Sequence, residues 1–205
     1  SGLDEGSWTI VHMADPYNDE LQYYPDRPTN SDDANIMVRD GVLIIEARRE
    51  KFKHRDYTSG RLHSKGKKEF LYGRFEARLR LPAGIGMWPA FWMLGANIDE
   101  NGGDTPWPQS GEIDILEMYG SRDNAVVEAN IHYAGKTGQH ANMGAVGTRL
   151  EQGKFADNFH VFEIEWDADQ IQWFVDGNRF ASTSISGDEF SEFHKPFFIL
   201  LNIAV

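Results

Sequence analysis

The chain has 205 residues, 40% of them hydrophobic, and a formal net charge of −12, so it is long and apolar enough for a globular domain and is not a disordered protein. The negative charge argues against nucleic acid and sulfated polysaccharides as partners, because polyanions prefer a basic surface, and it is compatible with a neutral polymer. No apolar run is long enough to span a membrane, and the absence of cysteine excludes disulfides and thiolate chemistry.

Short alternating segments separated by turn residues follow one another along the chain, which is typical of an all-β sandwich or barrel. Residues 41–48 follow an Asp-Gly turn and are predicted as a strand. Apolar and charged residues alternate in 74–81, which indicates a strand with one solvated face. Residues 88–94 predict a nearly continuous apolar strand, and the polar, Gly- and Pro-containing segment 96–110 predicts a loop.

The second half of the chain continues this pattern without a repeat or a linker, so we predict one domain over residues 1–205. The last strand stops at Val205 without a turn signal, and we expect a closed sandwich to need further terminal strands. The strands predicted in this half cover residues 125–133, 159–166, 171–175, 178–182 and 197–205.

Residues 111–118, Gly-Glu-Ile-Asp-Ile-Leu-Glu-Met, place three carboxylates in a segment that otherwise predicts a covered strand. Charges on a covered strand are costly or shift their pKa values, and such a cost is usually tolerated for chemistry. An exposed edge strand with solvated acids is the alternative, but the flanking apolar residues indicate burial.

The spacing of the three acids carries a second prediction. Alternation places Glu112 and Asp114 on one face, whereas Glu117 would point to the wrong side of a regular strand. One extra residue at 115–116, a β-bulge, returns Glu117 to the face of Glu112. The two Cα atoms are then about 13 Å apart, and inward-leaning side chains reach the ~5–5.5 Å carboxyl separation of retaining glycoside hydrolysis. We therefore predict a bulge in this strand.

Seven segments, with the acid motif and the tryptophan-rich strand as the most specific, together match one known family in the same order. They are 18–24 (NDELQYY), 57–62 (YTSGRL), 72–78 (YGRFEAR), 86–95 (GMWPAFWMLG), 107–117 (WPQSGEIDILE), 131–133 (IHY) and 159–166 (FHVFEIEW). On these residues the chain resembles family 16 of the glycoside hydrolases, in particular its bacterial endo-β-1,3-glucanases (laminarinases), over nearly its whole length.

The resemblance implies a jelly-roll β-sandwich of two curved antiparallel sheets, with a substrate cleft across the concave face. It also implies endo-acting hydrolysis of β-1,3-glucan with retention, in which Glu112 is the nucleophile, Glu117 the acid/base and Asp114 the helper between them. Members with the Glu-x-Asp-x-x-Glu spacing carry the bulge, whereas typical mixed-linkage lichenases have Glu-x-Asp-x-Glu.

Three tryptophans are candidate sugar platforms, because the C–H faces of pyranose rings stack on aromatic rings. Trp107 precedes the acids in a polar loop, which favours binding over core packing. Trp88 and Trp92 are four residues apart on one strand and share a face. The pattern alone leaves binding and core packing open for both, and the resemblance favours binding.

The resemblance adds three polar candidates. Asn18 and Arg61 match family positions that hydrogen-bond glucose hydroxyls, although on their own they indicate a turn residue and a surface charge. His132 is a candidate for contact with Glu117 or with the leaving-group sugar, and a solvated strand histidine is the alternative. Where relatives have His-Gly-Thr-x-His-Tyr, this chain has Glu128 and Asn130 in place of the first His and the Thr, so local subsites are expected to differ.

No metal ligand set or catalytic cofactor is predicted. Relatives often bind a structural Ca²⁺ through two terminal segments and a backbone oxygen near Gly41, and without those segments no complete calcium site is predicted. A β-glucan is the expected partner of a monomer that is secreted or extracytoplasmic, although the chain shows no signal peptide. The alternatives are a related β-glycanase (mixed-linkage, agarase-like or carrageenase-like) and a non-catalytic β-glucan-binding module, against which the presence of all three acids argues.

Overall fold

The computed structural model describes residues 2–100 and 102–205, and strands dominate them. In this part of the chain no helix has the length and hydrophobicity required to cross a membrane. A 3-10 helix covers Asp188–His194. The strands, in chain order, are β1 (Thr9–Ile10), β2 (Gln22–Tyr23), β3 (Ile36–Arg39), β4 (Val42–Ile45), β5 (Tyr57–Thr58), β6 (Arg61–His63), β7 (Glu69–Phe70), β8 (Gly73–Leu79), β9 (Trp88–Gly95), β10 (Glu112–Glu117), β11 (Val126–Ala134), β12 (His140–Asn142), β13 (Val146–Arg149), β14 (His160–Trp166), β15 (Gln170–Val175), β16 (Asn178–Ser184) and β17 (Phe197–Ala204).

Two antiparallel sheets form the body of the molecule. The larger has nine strands in the order β1-β6-β17-β9-β10-β11-β12, with β7 beside β17 and β13 beside β11. The smaller has four strands in the order β16-β15-β14-β8. A hairpin of β3 and β4 and a parallel pair of β2 and β5 complete the strand pairing of the described residues.

The strands predicted from 74 onward are confirmed, with ends moved by one or two residues, and residues 96–100 and 102–110 form a loop as predicted, while position 101 lies outside the described residues. The strand predicted over 41–48 is shorter, because only Val42–Ile45 pairs, back onto β3. Asp40 and Gly41 form the turn of this hairpin with positive φ angles of 51° and 78°. The sequence does not predict the short helix at Asp188–His194, because two 3-10 turns joined by a kink at Phe190 carry little periodic signal.

The two sheets share one apolar core, as the alternation of apolar and polar residues along the strands requires. Each large side chain buried there contributes about 1.5–3 kcal/mol of stabilisation. The larger sheet supplies Phe91, Met93, Ile113, Ile131 and Phe197, and the smaller supplies Phe75, Phe162, Ile164, Trp166 and Trp173.

The outer face of β8 is solvated, as the alternation in 74–81 predicts. Arg74 donates from Nε and Nη2 to the two carboxylate oxygens of Glu163 on the neighbouring β14, each at 2.7 Å. Phe75, the next residue, is buried in the core. The charged residues of this strand therefore stabilise the surface of the smaller sheet and lie on the side away from the three acids.

A cross-sheet hydrogen bond fixes the strand that carries the acids. The fully buried Trp173 of β15 donates from Nε1 to the backbone oxygen of Asp114 in β10, at 2.8 Å. A buried indole N–H needs an acceptor. This hydrogen bond therefore fixes the position of the middle of β10 relative to the smaller sheet.

Candidate active site

The predicted β-bulge is confirmed by the strand register. Asp114 pairs with Asn130 of β11, but the next pair joins Glu117 to Glu128, so three steps along β10 face two along β11. The register with β9 shifts at the same point. The extra residue lies within 115–116, where the odd spacing of the acids requires it.

The bulge brings the three carboxyl side chains to one face of the larger sheet. Across β9, the residues opposite Glu112, Asp114 and Glu117 are Leu94, Trp92 and Ala90. These three are alternate residues of one strand, and directly paired residues point to the same side, so the acids share a face. We call this surface the acidic face; it lies opposite the shared core.

Gly111 lets the chain enter β10 at this position. Its φ angle is +81°, in the left-handed region that glycine tolerates. A β-carbon at this residue would lie 2.8 Å from the ring of Phe197 and 3.2 Å from the side chain of Glu192. A larger residue at position 111 would therefore clash with these side chains, so the motif needs glycine there. The strand begins directly after it, at Glu112.

Trp107 forms one wall beside Glu112. Its Nε1 donates to Oε2 of Glu112 at 2.8 Å, while 43% of the residue stays exposed. Its ring packs against His132 and His140, with ring centroids 6.0 Å and 4.7 Å away. The indole is thus exposed and fixed beside Glu112, and its role as a sugar platform stays a prediction.

Glu117 is held from the other side. Nε1 of Trp88 and the hydroxyl of Tyr119 both donate to its Oε1, at 2.9 Å and 3.0 Å. The rings of Trp88 and Tyr119 pack with centroids 5.1 Å apart. Trp88 is half-buried, so it combines packing with a polar contact to the acid.

Asp114 lies between the two glutamates and is buried. Its Oδ2 is 3.3 Å from Nε2 of His132, yet it makes no well-aligned hydrogen bond. Nδ1 of His132 in turn lies 2.8 Å from Nε2 of His140. His132 therefore contacts Asp114 rather than Glu117, and its contact with a leaving-group sugar stays a prediction.

All three carboxyl groups hold protons more tightly than ordinary acids. Burial, followed by the charge of Asp114, raises the pKa of Glu112 well above its usual value. Burial, followed by the charge of Glu117, does the same for the pKa of Asp114. Burial also raises the pKa of Glu117, against the opposing effect of its bonds from Trp88 and Tyr119. Clustered acids with raised pKa values are suited to proton transfer in general acid–base catalysis.

Trp92 and Arg61 lie farther along the acidic face. Arg61 of β6 stacks over the ring of Trp92 with its Cζ 5.0 Å from the centroid. Nε1 of Trp92 donates to Oδ1 of Asn202 at 2.7 Å, and Asn202 pairs with Arg61 in the sheet. Arg61 is buried rather than the surface charge that its sequence context alone indicates. The guanidinium of Arg61 thus covers one face of the Trp92 ring, and that face cannot stack on a sugar ring.

Asn18 lies outside the sheets, in a turn before β2. It is exposed with a positive φ of 60°, as a turn residue tolerates. Burial raises the pKa of the nearby Glu20, which accepts hydrogen bonds from Gln22 and Tyr24. A direct contact of Asn18 with sugar stays a prediction.

Three residues of this site were missed by sequence reasoning. Tyr119 follows Glu117 by two positions. If the alternation of the strand is continued past its end, Tyr119 falls on the same face as Glu117, and this signal could have found it. His140 meets His132 only because β12 folds back onto β11, and Asn202 meets Trp92 across 110 residues of chain. Pairings of this kind have no local signature in the sequence.

One group of side chains in the described residues has ligand atoms close enough to hold a metal ion. Glu112, Asp114 and His132 each offer one such atom, and these atoms lie within 4.8 Å of one another. A set of two carboxyls and one imidazole does not match the six to eight oxygen ligands that Ca²⁺ prefers. It also lies apart from Gly41, in the β3–β4 turn, and does not supply the calcium site that the sequence leaves unassigned.

The raised pKa of Asp114 predicts a pH dependence of stability. An acid with a raised pKa in the folded state stabilises the fold fully below its unfolded pKa, about 3.9 for Asp, and this contribution is lost as the pH rises through the folded pKa. We expect Asp114→Asn to raise the free energy of unfolding relative to the parent at pH 8 and less so at pH 4.5. Urea unfolding of both proteins at pH 8 and pH 4.5 measures these free energies. An equal difference between variant and parent at the two pH values would contradict the prediction.

Comparison with known proteins identifies relatives of this chain. The family described as "Glycosyl hydrolases family 16" matches residues 28–203. A "Beta-glucanase" of Rhodothermus marinus is 41% identical over 195 residues, which cover 92% of this chain and 65% of that protein. A "Glucan endo-1,3-beta-glucosidase" of Cryptopygus antarcticus is 36% identical, covering 92% and 70%. The chain thus spans about two thirds of these relatives.

The fold has a close structural counterpart. A LamA variant of Zobellia galactanivorans, solved with laminaritriose and laminaritetraose, superposes with a TM-score of 0.87 at 33% identity, covering 100% of this chain and 84% of that one. The two antiparallel sheets are therefore those of the predicted jelly-roll sandwich. With the family match over most of the chain and the acids grouped by the bulge, the chain belongs to family 16 of the glycosyl hydrolases.

Proposed function

We propose that this protein hydrolyses internal bonds of β-1,3-glucan of the laminarin type, with retention of the anomeric configuration. The observation that carries the proposal is the bulge in β10, because it puts Glu112 and Glu117 on one face of one strand. The names of the relatives, a β-glucanase and a glucan endo-1,3-β-glucosidase, support the same substrate. Retention needs two carboxyl groups close enough to act on one glycosidic bond.

In the first step, the ionised carboxylate of Glu112 attacks the anomeric carbon, and Glu117 gives its proton to the departing glycosidic oxygen. The bond to the leaving sugar breaks as the glycosyl ester forms. Trp107 donates to Oε2 of Glu112 and thereby orients the nucleophile. The raised pKa of Glu117 favours its protonated form for this step.

In the second step, Glu117 takes a proton from water, and that water attacks the anomeric carbon and releases Glu112. Glu117 is then protonated again and the cycle closes. Two inversions at one carbon leave the product with the configuration of the substrate.

Asp114 allows the nucleophile to ionise in a crowded site. Two buried carboxyl groups in close contact share one proton, since both cannot ionise there at low cost. Trp107 donates to Glu112 and so favours its ionised form, and we therefore assign the shared proton to Asp114. A protonated Asp114 beside Glu112 can donate a hydrogen bond to the nucleophile.

A product profile tests the proposal. Purified protein is expected to release reducing sugar from laminarin faster than from lichenan, agarose or carrageenan, and proton NMR should show the β-anomer as the first product. Faster release from lichenan would assign a mixed-linkage glucanase, and faster release from agarose or carrageenan a galactan hydrolase. Binding to laminarin without any release would assign a glucan-binding module, and α-anomer as the first product would refute retention.

Three further expectations belong to this proposal. Catalysis needs no metal, because the chain's own carboxyls fill every role in the two steps, and activity should survive dialysis against EDTA.

The protein acts outside the cytoplasm, since a polymeric glucan does not cross a membrane, and the enzyme should be found in culture medium or periplasm. It acts as a monomer, which light scattering can test.

A further inference from the structure

Two donors converge on a single oxygen of Glu117. Trp88 Nε1 and Tyr119 Oη both point to Oε1, at 2.9 Å and 3.0 Å. A carboxyl oxygen that already accepts two hydrogen bonds has both lone pairs engaged. The catalytic proton must therefore lie on the other oxygen, Oε2, which is the oxygen left to face the glycosidic bond.

Tyr119 is itself held rigidly. The ring of Trp88 packs against it, and the guanidinium of Arg122 lies over it with Cζ 4.5 Å from the centroid. Arg122 is in turn anchored by an ion pair to Glu128, with 2.9 Å between Nη1 and Oε1. Glu128 is the strand partner of Glu117. A ring that packs against both an indole and a cation has its hydroxyl restrained in position.

We propose that Tyr119 is the positioning residue that selects the proton-carrying oxygen of Glu117 and sets how readily that proton is released. This proposal rests on the proposed glycanase function. Donation to Oε1 stabilises the ionised carboxylate, so it opposes the effect of burial on this acid. Without the hydroxyl, Glu117 becomes a weaker acid towards the departing sugar and a stronger base towards water.

Other charged groups around Glu117 do not involve the Tyr119 hydroxyl. β9 contributes only the uncharged side chains of Trp88 and Ala90. The titratable and charged groups that face Glu117 from the remaining elements are Glu112 and Asp114 on β10, Glu128 and His132 on β11, and Arg122 beyond the strand. Because Tyr119→Phe leaves all of them in place, a change in the pH profile reports the lost hydroxyl.

The test compares Tyr119→Phe with the parent over a range of pH. The alkaline limb of the kcat/KM profile on laminarin is expected to move up by about one pH unit, the effect of one hydrogen bond to a charged group. Near neutral pH, kcat/KM on laminarin should fall by up to about tenfold. On a laminaribioside with a dinitrophenyl leaving group, which needs no proton, kcat/KM should stay unchanged.

Tyr133→Phe is the matched control, because Tyr133 packs against Phe190 away from the acidic face and should change neither quantity. An unmoved alkaline limb in Tyr119→Phe, or an equal loss on both substrates, would overturn the proposal. Thermal unfolding of both variants checks that they fold. If the parent itself hydrolysed neither substrate, the proposed function would fail first, and the two failures are therefore distinguishable.

Discussion

Replacing Glu112 by Ser is expected to lower kcat on laminarin by about 10⁴-fold or more. The hydroxyl cannot form the glycosyl ester, and the substitution removes one half-buried acid from the acidic face without enlarging any side chain. Binding should remain, because the aromatic and polar groups along the face are unchanged. Reducing-sugar release measures the first quantity, and calorimetric titration with laminaritetraose measures the second.

The control for this variant is Glu165→Ser. Glu165 is an exposed glutamate in β14 of the smaller sheet, and its loss should leave kcat within about twofold of the parent, as for ordinary surface substitutions. If Glu112→Ser kept more than a trace of activity, Glu112 would not be the nucleophile. If it lost binding as well, its carboxylate would be part of substrate recognition.

Replacing Glu117 by Gln is expected to lower kcat on laminarin by about 10²–10⁴-fold, the usual contribution of a positioned acid or base. The amide keeps the shape of the side chain, and its oxygen can still accept from Trp88 and Tyr119. With a dinitrophenyl laminaribioside the first step no longer needs an acid, so the glycosyl-enzyme should form and accumulate as a burst.

Added azide separates the two roles of Glu117. An azide ion attacks the glycosyl-enzyme without deprotonation, so it should restore turnover of the activated substrate in Glu117→Gln and yield a glycosyl azide. It should have no such effect on Glu112→Ser, in which no ester forms. Absence of rescue, with the burst also absent, would assign Glu117 a role other than acid/base.

Much of the active-site strand could be predicted without coordinates. A strand has a period of two, and Glu112 and Glu117 are an odd number of residues apart. Only an extra residue can bring both side chains to one face, and the strand register shows that extra residue between Asp114 and Glu117. The apolar residues 113, 115 and 116 indicated burial, and the raised pKa values of the acids follow from that burial.

The contacts of the aromatic residues could not be predicted in the same way. Trp92 was assigned to the same face as Trp88, which is correct, but its ring is covered by Arg61 and its N–H is bound by Asn202. These partners come from β6 and β17, and the order of strands in the sheet decides which of them meet. Sequence patterns report which face a residue occupies and not which strand lies beside it.

The amino-acid sequence by itself determined the all-β class, the three acids on one strand and the need for a bulge, because period and burial are local properties of a strand. The tertiary structure alone decided how each acid is held. Trp107 reaches Glu112, Trp88 and Tyr119 reach one oxygen of Glu117, and His132 reaches Asp114. These contacts depend on strand order and loop course, which arise from packing of the whole sandwich and leave no periodic trace in the chain.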